Sequence, residues 1–297
     1  MPTVAPNDIK NKAKRSQVLT REREEKAVAR KRRREGEAVA AGGSRPKQAP
    51  RTIEGTRTVD STLVAPDDAE VLAEEADDEF SRIYAGAEAP KVMVTTAIKP
   101  TAAVYPLLGA LLDVVPRAFY YRRQKFTLAQ ISGWAAAKGF SHLVVLGEPR
   151  HGHFSLVVSR LPGGPTGCFK FSSPLLTEQI AGFGRRTEHA PELLLNNFST
   201  RLGRRVGRLL GSLFPHKPDF SGRQVVTIHN QRDFIFFRHH RYVFEEEGGR
   251  ARLQELGPRF TLKMRWLLAG AFNPREGEYE WIHKKGETVD TKRTFAL

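Results

Sequence analysis

A single cysteine, Cys168, stands among 297 residues. A disulfide within the chain is therefore excluded, and a zinc site built on several cysteines lacks its ligands. That usage fits a reducing compartment. The N-terminal stretch lacks the apolar core of a secretion signal. The longest apolar segment, Ala102–Pro116, is broken by Pro106 and Asp113 and falls short of the ~20 residues that span a bilayer. These features predict a soluble, intracellular protein with no membrane partner. No Gly-Lys-Ser/Thr follows Leu161-Pro-Gly-Gly-Pro165, so that run reads as a turn and not as a phosphate-binding loop. The tight histidine groupings are His151-Gly-His153 and His239-His240. Neighbours along a strand point to opposite faces, which makes His239 and His240 a poor chelate. A nuclease would need paired carboxylates for a metal or an acid/base pair, whereas Asp219 and Asp233 stand isolated among arginines and read as ion-pair partners. The expectation is no enzyme, no metal, no cofactor and no small-molecule substrate.

Positive charge is abundant. Lys and Arg total 48 against 33 Asp and Glu, a formal net charge of +15, which favours a polyanionic partner, nucleic acid first. Residues 1–50 are polar and basic, with too few aliphatic residues to bury a face, and are expected to be disordered alone; residues 17–40 are capable of forming a helix on contact with RNA or a protein groove. Arg30, Lys31, Arg32, Arg33 and Arg34 read as a nuclear import signal or a nucleic-acid patch. Ala41–Pro50 is a linker. Residues 65–90 invert the charge, setting Asp67, Asp68, Glu70, Glu74, Glu75, Asp77, Asp78, Glu79 and Glu88 against Arg82 alone. Such a segment is suited to binding a basic partner, to shielding the chain's own basic surface, or to serving as a solubilising linker.

Order is expected from about residue 89. Lys91–Ala97, Ala118–Arg122 and Ser141–Leu146 read as strands. Val104–Val115 reads as a helix or a buried segment, and Thr127–Lys138 as a helix stopped at Gly139. Phe154–Ser159 and Cys168–Phe171 make a hairpin around the Pro/Gly run. Alternating strands and helices predict an α/β sheet. Within Asn196–Tyr242 a helix places Arg201, Arg204, Arg205 and Arg208 on one face. Leu202, Val206, Leu209, Leu210 and Leu213 lie on a second. Gly203, Gly207 and Gly211 form a third, and glycine there suggests close approach of another backbone. Val225–His229 and Phe234–Phe237 follow as a strand pair around Asn230–Asp233; the phenylalanines are expected in the core instead of on bases. Tyr242–Glu245 and Leu253–Leu256 read as further strands. In Arg259–Trp266, Phe260, Leu262, Met264 and Trp266 alternate with Arg259, Thr261, Lys263 and Arg265, a half-buried strand with a basic exposed face. Tyr279–His283 is a last short strand, and Lys284–Leu297 a polar tail.

The chain resembles the Brix-domain family of ribosome assembly factors. The resemblance is carried by Leu161-Pro-Gly-Gly-Pro-Thr166, Leu195–Gly203, Ser212-Leu-Phe-Pro215, Gly222-Arg-Gln-Val225, His229–Asp233, Phe236-Phe-Arg-His239, Arg241-Tyr242, Glu255–Lys263 and Glu278–His283, with patches at Lys10–Arg15 and Arg51–Arg57. It covers residues 89–297 densely and departs at Gly164 and in the Ala/Glu-rich arm. It implies an α/β domain, 89–285, of two similar halves (about 89–175 and 190–285). Each half would resemble the anticodon-binding domain of certain tRNA synthetases, behind a long extended or disordered arm (1–88) and ahead of a tail (286–297). It also implies a role in large-subunit assembly in the nucleolus on pre-ribosomal RNA, paired with another nucleolar assembly factor and alongside other large-subunit assembly proteins. Family and charge pattern together nominate Arg201, Arg204, Arg205, Arg208, Lys217, Arg223, Asn230, Gln231, Arg232, Arg238, Arg241, Arg259 and Lys263 for RNA contact. The alternative is a protein–protein scaffold whose basic faces bind acidic partners.

Overall fold

One edge strand aside, the sheet follows the same pattern from both ends. In the computed structural model the order is β2-β1-β3-β4-β5-β10-β8-β7-β6, from β1 (Val92–Thr96), β2 (Ala118–Tyr120), β3 (His142–Gly147), β4 (Phe154–Arg160), β5 (Thr166–Leu175), β6 (Glu192–Asn196), β7 (Gln224–Gln231), β8 (Phe234–Phe244) and β10 (Arg259–Leu268). Short β9 (Ala251–Glu255) and β11 (Tyr279–Ile282) pair with β8 and β10. The structure describes residues 11–40, 52, 54–58, 61–65, 67–148, 154–245, 250–272, 277–283 and 294–297, with backbone alone at 34–40 and 54. His151 and His153 fall outside these residues.

The palindrome arises because each half runs the same course. In the first, β1 is parallel to β3, and β3, β4 and β5 continue antiparallel. In the second, β6 is parallel to β7, and β7, β8 and β10 continue antiparallel. Antiparallel β5 and β10 join the halves at the centre. A strand–helix–parallel-strand unit demands a crossover. Helix α4 (Val104–Val114), β2 and α5 (Leu128–Ala137) supply it in the first half, and α6 (Arg201–Gly211) in the second. No sequence repeat announces this twofold plan.

Helices α4 and α6 lie on the same side of the sheet. Val92, Val94, Val144 and Leu146 join Leu107, Leu111, Val206, Leu209, Val226, Ile235 and Phe260 in one large core. On the opposite side, α5 covers the first half only, packing Ile131 and Ala135 on Met93, Leu143 and Val145. Local signals explain the helix ends. Thr127 and Gln130 form a reciprocal capping box at the start of α5, and Gly139 takes φ +71 just after it.

The chain divides into two compact units, Met1–Thr56 and Arg57–Leu297. In the first, residues Lys12–Ala40 form helix α1, opened by the Asn11 side chain, which accepts from the Ala13 and Lys14 amides. The second begins well before residue 89, because described residues between 57 and 88 pack within it. Arg57 donates to Ser199 Oγ at 2.7 Å, and Phe80 and Ile83 are fully buried. Some strands also differ from the expected pattern. Strand β6 has no counterpart in the reading above, and Tyr242–Phe244 continues β8 instead of starting a new strand.

Candidate nucleic-acid interface

Helix α6 does present its arginines on one face, but acidic side chains cover that face. Thr200 caps the helix, accepting from the Gly203 amide at 2.8 Å. Residues Ala69–Ala76 (α2) and Ser81–Tyr84 (α3) lie alongside, anchored by Val71, Phe80 and Ile83. Arg201 meets Glu70 at 2.8 Å and Glu74 at 3.6 Å, and Arg204 meets Glu75 at 2.8 Å. Arg205 bridges Glu79 at 2.9 Å and Glu280 at 2.6 Å. Arg208 grips Asp78 and donates to the Glu75 carbonyl at 2.8 Å. Glu88 closes the far end by a two-pronged pair with the buried Arg160, both contacts at 3.1 Å. Of the three readings of the acidic segment, shielding of the chain's own basic surface is the one found. Tyr84 lies beneath Arg208, donates to its carbonyl oxygen at 3.2 Å, and has its phenol pKa pushed up by burial.

The glycine stripe works in a mixed way. A Cβ on Gly203 would sit 2.7 Å from the Leu297 carbonyl carbon, the close backbone anticipated there. At Gly207 and Gly211 the space belongs to the Phe198 ring and the Tyr84 hydroxyl. The last residues are therefore not a free tail. Leu297 is buried, and Asp233 accepts from the Ala296 and Leu297 amides at 3.1 and 2.9 Å. That contact replaces the ion pair expected of Asp233. It also holds the two-residue β7–β8 turn, where Arg232 and Asp233 adopt φ of 55 and 63 without glycine. Asp219 likewise serves backbone, accepting from the Ser221 amide at 3.0 Å, with His189 3.8 Å away.

The remaining nominated residues scatter. Asn230 is buried in a reciprocal pair, its side-chain amide donating to the Asn197 backbone carbonyl and its own backbone carbonyl accepting from the Asn197 side-chain amide. Gln231 and Arg232 lie at the hairpin end, while Lys217 and Arg223 are exposed on the loop leading to β7. Strand parity sends Arg241 to the side of Ile235 and Phe237, and Arg238 to the other.

That other side, over the second half, is where basic residues gather. Among the described residues of this unit no helix packs on it. Register places Thr227 opposite Arg238 and His229 opposite Phe236 across β7–β8. Phe236 faces Thr261 and Phe234 faces Lys263 across β8–β10. Lys263 then stands directly opposite Lys170 across β10–β5. Like charges in that position repel, at a cost of up to about 1 kcal/mol. Arg265 continues the row and opposes the burial that lifts the Cys168 thiol to about 11. Carboxylates stay at the margin, Glu255 beside Arg259 at 3.6 Å and Glu192 bonded to the Tyr242 hydroxyl. The aromatic expectation needs correction. Phe237 is core, but Phe234 and Phe236 lie on this open face, with Lys263 Nζ 4.9 Å above the first ring and Arg238 5.7 Å from the second.

His142 and His239 are structural. His142 is fully buried between Ser141 Oγ and Ser212 Oγ, each at 2.9 Å, and burial holds its pKa down to about 3. His239 is buried against the Gly257 carbonyl at 3.0 Å, its pKa lowered by burial to about 4, while His240 points to the opposite side. Among the described residues no group of three or more His, Cys, Asp or Glu is placed to hold a metal, and no helix is long and apolar enough to cross a membrane.

The family model described as "Brix domain" matches residues 98–266. Ribosome production factor 1 of Mus musculus is 43% identical over 301 residues, an alignment covering 100% of this chain and 86% of that protein. Ribosome production factor 1 of Danio rerio is 46% identical over 253 residues, covering 85% of this chain and 76% of its relative.

Proposed function

The chain belongs to the Brix-domain family, and on that footing we propose that it is a non-catalytic assembly factor of the large ribosomal subunit that binds pre-ribosomal RNA. The observation that carries RNA binding is the open sheet face. Lys170 and Lys263 face each other there with no carboxylate between them, and Arg238, Arg259 and Arg265 extend the row. A phosphate backbone relieves the repulsion that the fold tolerates, and the phenylalanine rings beside the cations offer surfaces for bases. Arg232, Arg223 and Lys217 extend the basic surface at its ends. The four α6 arginines serve instead to hold the acidic segment, since each would have to surrender a carboxylate to reach RNA.

The reading places the protein in the nucleolus, brought to the nucleus by Arg30–Arg34, with a paired nucleolar assembly factor and other large-subunit assembly proteins as partners. Arg30 to Arg33 lie exposed on α1. One observation favours a second reading, a scaffold for acidic protein segments: α6 already binds such a segment within the same chain. RNA anisotropy measured against salt separates the two. RNA binding through several phosphates gives a steep loss of affinity with salt, and changing Lys170 and Lys263 lowers affinity. An acidic-peptide scaffold keeps its peptide affinity when those lysines are replaced.

A further inference from the structure

The first half carries an exposed aromatic cluster that its core takes up only in part, the Tyr121 ring standing edge-on to the buried Phe140 with centroids 5.8 Å apart. It lies at the outer edge of the sheet, where β2 has β1 on one side and no neighbour on the other. Tyr121, Phe126 and Trp134 are 46%, 41% and 49% exposed, large fractions for rings this size gathered in one place. They line a shallow groove of about 150 Å³ together with Arg122, Arg123 and Lys138. Single exposed aromatics are ordinary, but a contiguous group rimmed by polar residues marks a binding surface.

Charge identifies what the groove suits. From Val114 to Gly147 the chain holds Arg117, Arg122, Arg123, Lys125 and Lys138 and no Asp or Glu. None of these five cations lies in an ion pair with a described carboxylate, in contrast to the arginines of α6.

The groove is also built to stay open. The Tyr121 amide donates to the Val94 carbonyl at 2.9 Å, and its own carbonyl accepts from Thr95 Oγ1 at 2.8 Å. Arg123 Nε donates to the Phe126 carbonyl at 3.2 Å, and the Phe126 ring stands edge-on to Trp134 with centroids 4.9 Å apart. Rigid rings beside uncompensated cations are the arrangement that stacks single-stranded bases while tracking their phosphates.

We propose that Tyr121, Phe126 and Trp134, rimmed by Arg122, Arg123 and Lys138, form a second RNA-contact surface that takes unpaired nucleotides. It is separate in place from the open sheet face, and it stands or falls separately. The test uses the full chain and a short unstructured oligouridine, with an RNA duplex of equal length beside it. Trp134→Ala with Phe126→Ala is expected to weaken oligouridine binding about ten-fold or more and to leave duplex binding within two-fold. Trp134→Tyr, which keeps a stacking ring, is expected to retain most of the affinity. Arg122→Gln with Lys138→Gln is expected to flatten the salt dependence of oligouridine binding without loss of fold. Unchanged oligouridine affinity in the folded aromatic variant overturns the proposal. So does the finding that this variant loses binding to polyglutamate but not to RNA, which would make the groove a peptide site. The Lys170 and Lys263 variants read the open region over the second half, away from this groove, so their outcome leaves this one undisturbed.

Discussion

Arg208 meets Asp78 through two guanidinium nitrogens, at 2.6 and 2.7 Å, while its Cζ lies 4.2 Å above the Tyr84 ring. Both charged side chains are close to buried, 12% and 13% exposed. Breaking such a pair strands a charge in a poorly hydrated place and costs about 3 kcal/mol or more. Asp78→Ala and Arg208→Ala are each expected to lose about that much stability in urea unfolding. The double variant should lose much less than their sum, because each single change includes the cost of the abandoned partner. Additive losses would show that the two residues act independently.

Arg201 sits at the loose end of the same face, 52% exposed and paired with Glu70 and Glu74. Exposed pairs contribute about 1 kcal/mol at most, so Glu70→Gln with Glu74→Gln should leave stability nearly unchanged. It removes the neutralising carboxylates, however. We expect RNA affinity to rise a few-fold at low salt, and the dependence of log affinity on log salt to steepen by about one counterion. Unchanged affinity would mean that the acidic segment does not screen this surface.

His142 links the halves, receiving one contact from Ser141 just before β3 and reaching Ser212 at the end of α6. Its folded pKa of about 3 lies below the ordinary 6.5 because the ring is buried and Arg160 is near. The unfolded chain therefore takes up a proton that the folded one refuses as pH falls below about 6.5. Stability is full above that pH and drops by about 1.4 kcal/mol per pH unit for this group until about pH 3. His239, held to about 4 by burial, adds to the same slope over a shorter window. Denaturant unfolding between pH 7 and 5 should show the decline, and His142→Gln should reduce the slope by about one proton.

Gly203 has the Leu297 backbone where a side chain would begin, 2.7 Å from its would-be Cβ. Gly203→Ala should cost about 1–3 kcal/mol through overpacking. Removing residues 294–297 as well should recover part of that loss, since the obstacle leaves with them. If the shortened variant shows the full penalty, Leu297 is not what the glycine accommodates.

Much of the sheet could be read in advance, because β1, β3, β4 and β10 alternate or bury in runs of apolar residues long enough to identify them. Strand β6 escaped since Glu192-Leu-Leu-Leu-Asn196 is short and runs straight toward the α6 cap. The arginine face of α6 was legible from helical spacing alone, but its partners were not. Asp78 and Arg208 stand far apart in sequence, and no local pattern says that the acidic segment folds back. Lys170 was missed for the same reason. Its neighbour Lys263 is set by register across the β5–β10 joint, and only the register makes the pair conspicuous. The two phenylalanines on the open face were misjudged because the second half of the sheet is covered by a helix on one side only and so has an aromatic side as well as a core side.

The claim that RNA meets the open sheet face is tested most directly by Lys170→Gln with Lys263→Gln in a salt titration of binding to single-stranded and duplex pre-ribosomal RNA fragments. RNA bound at this face loses affinity about ten-fold or more near 0.1 M salt, with a log–log slope shallower by about one to two counterions. Stability is expected to equal or exceed that of the parent, since a repulsion has been removed. Parental affinity and slope in this folded double variant would contradict it and return the search to the other basic surfaces of the molecule.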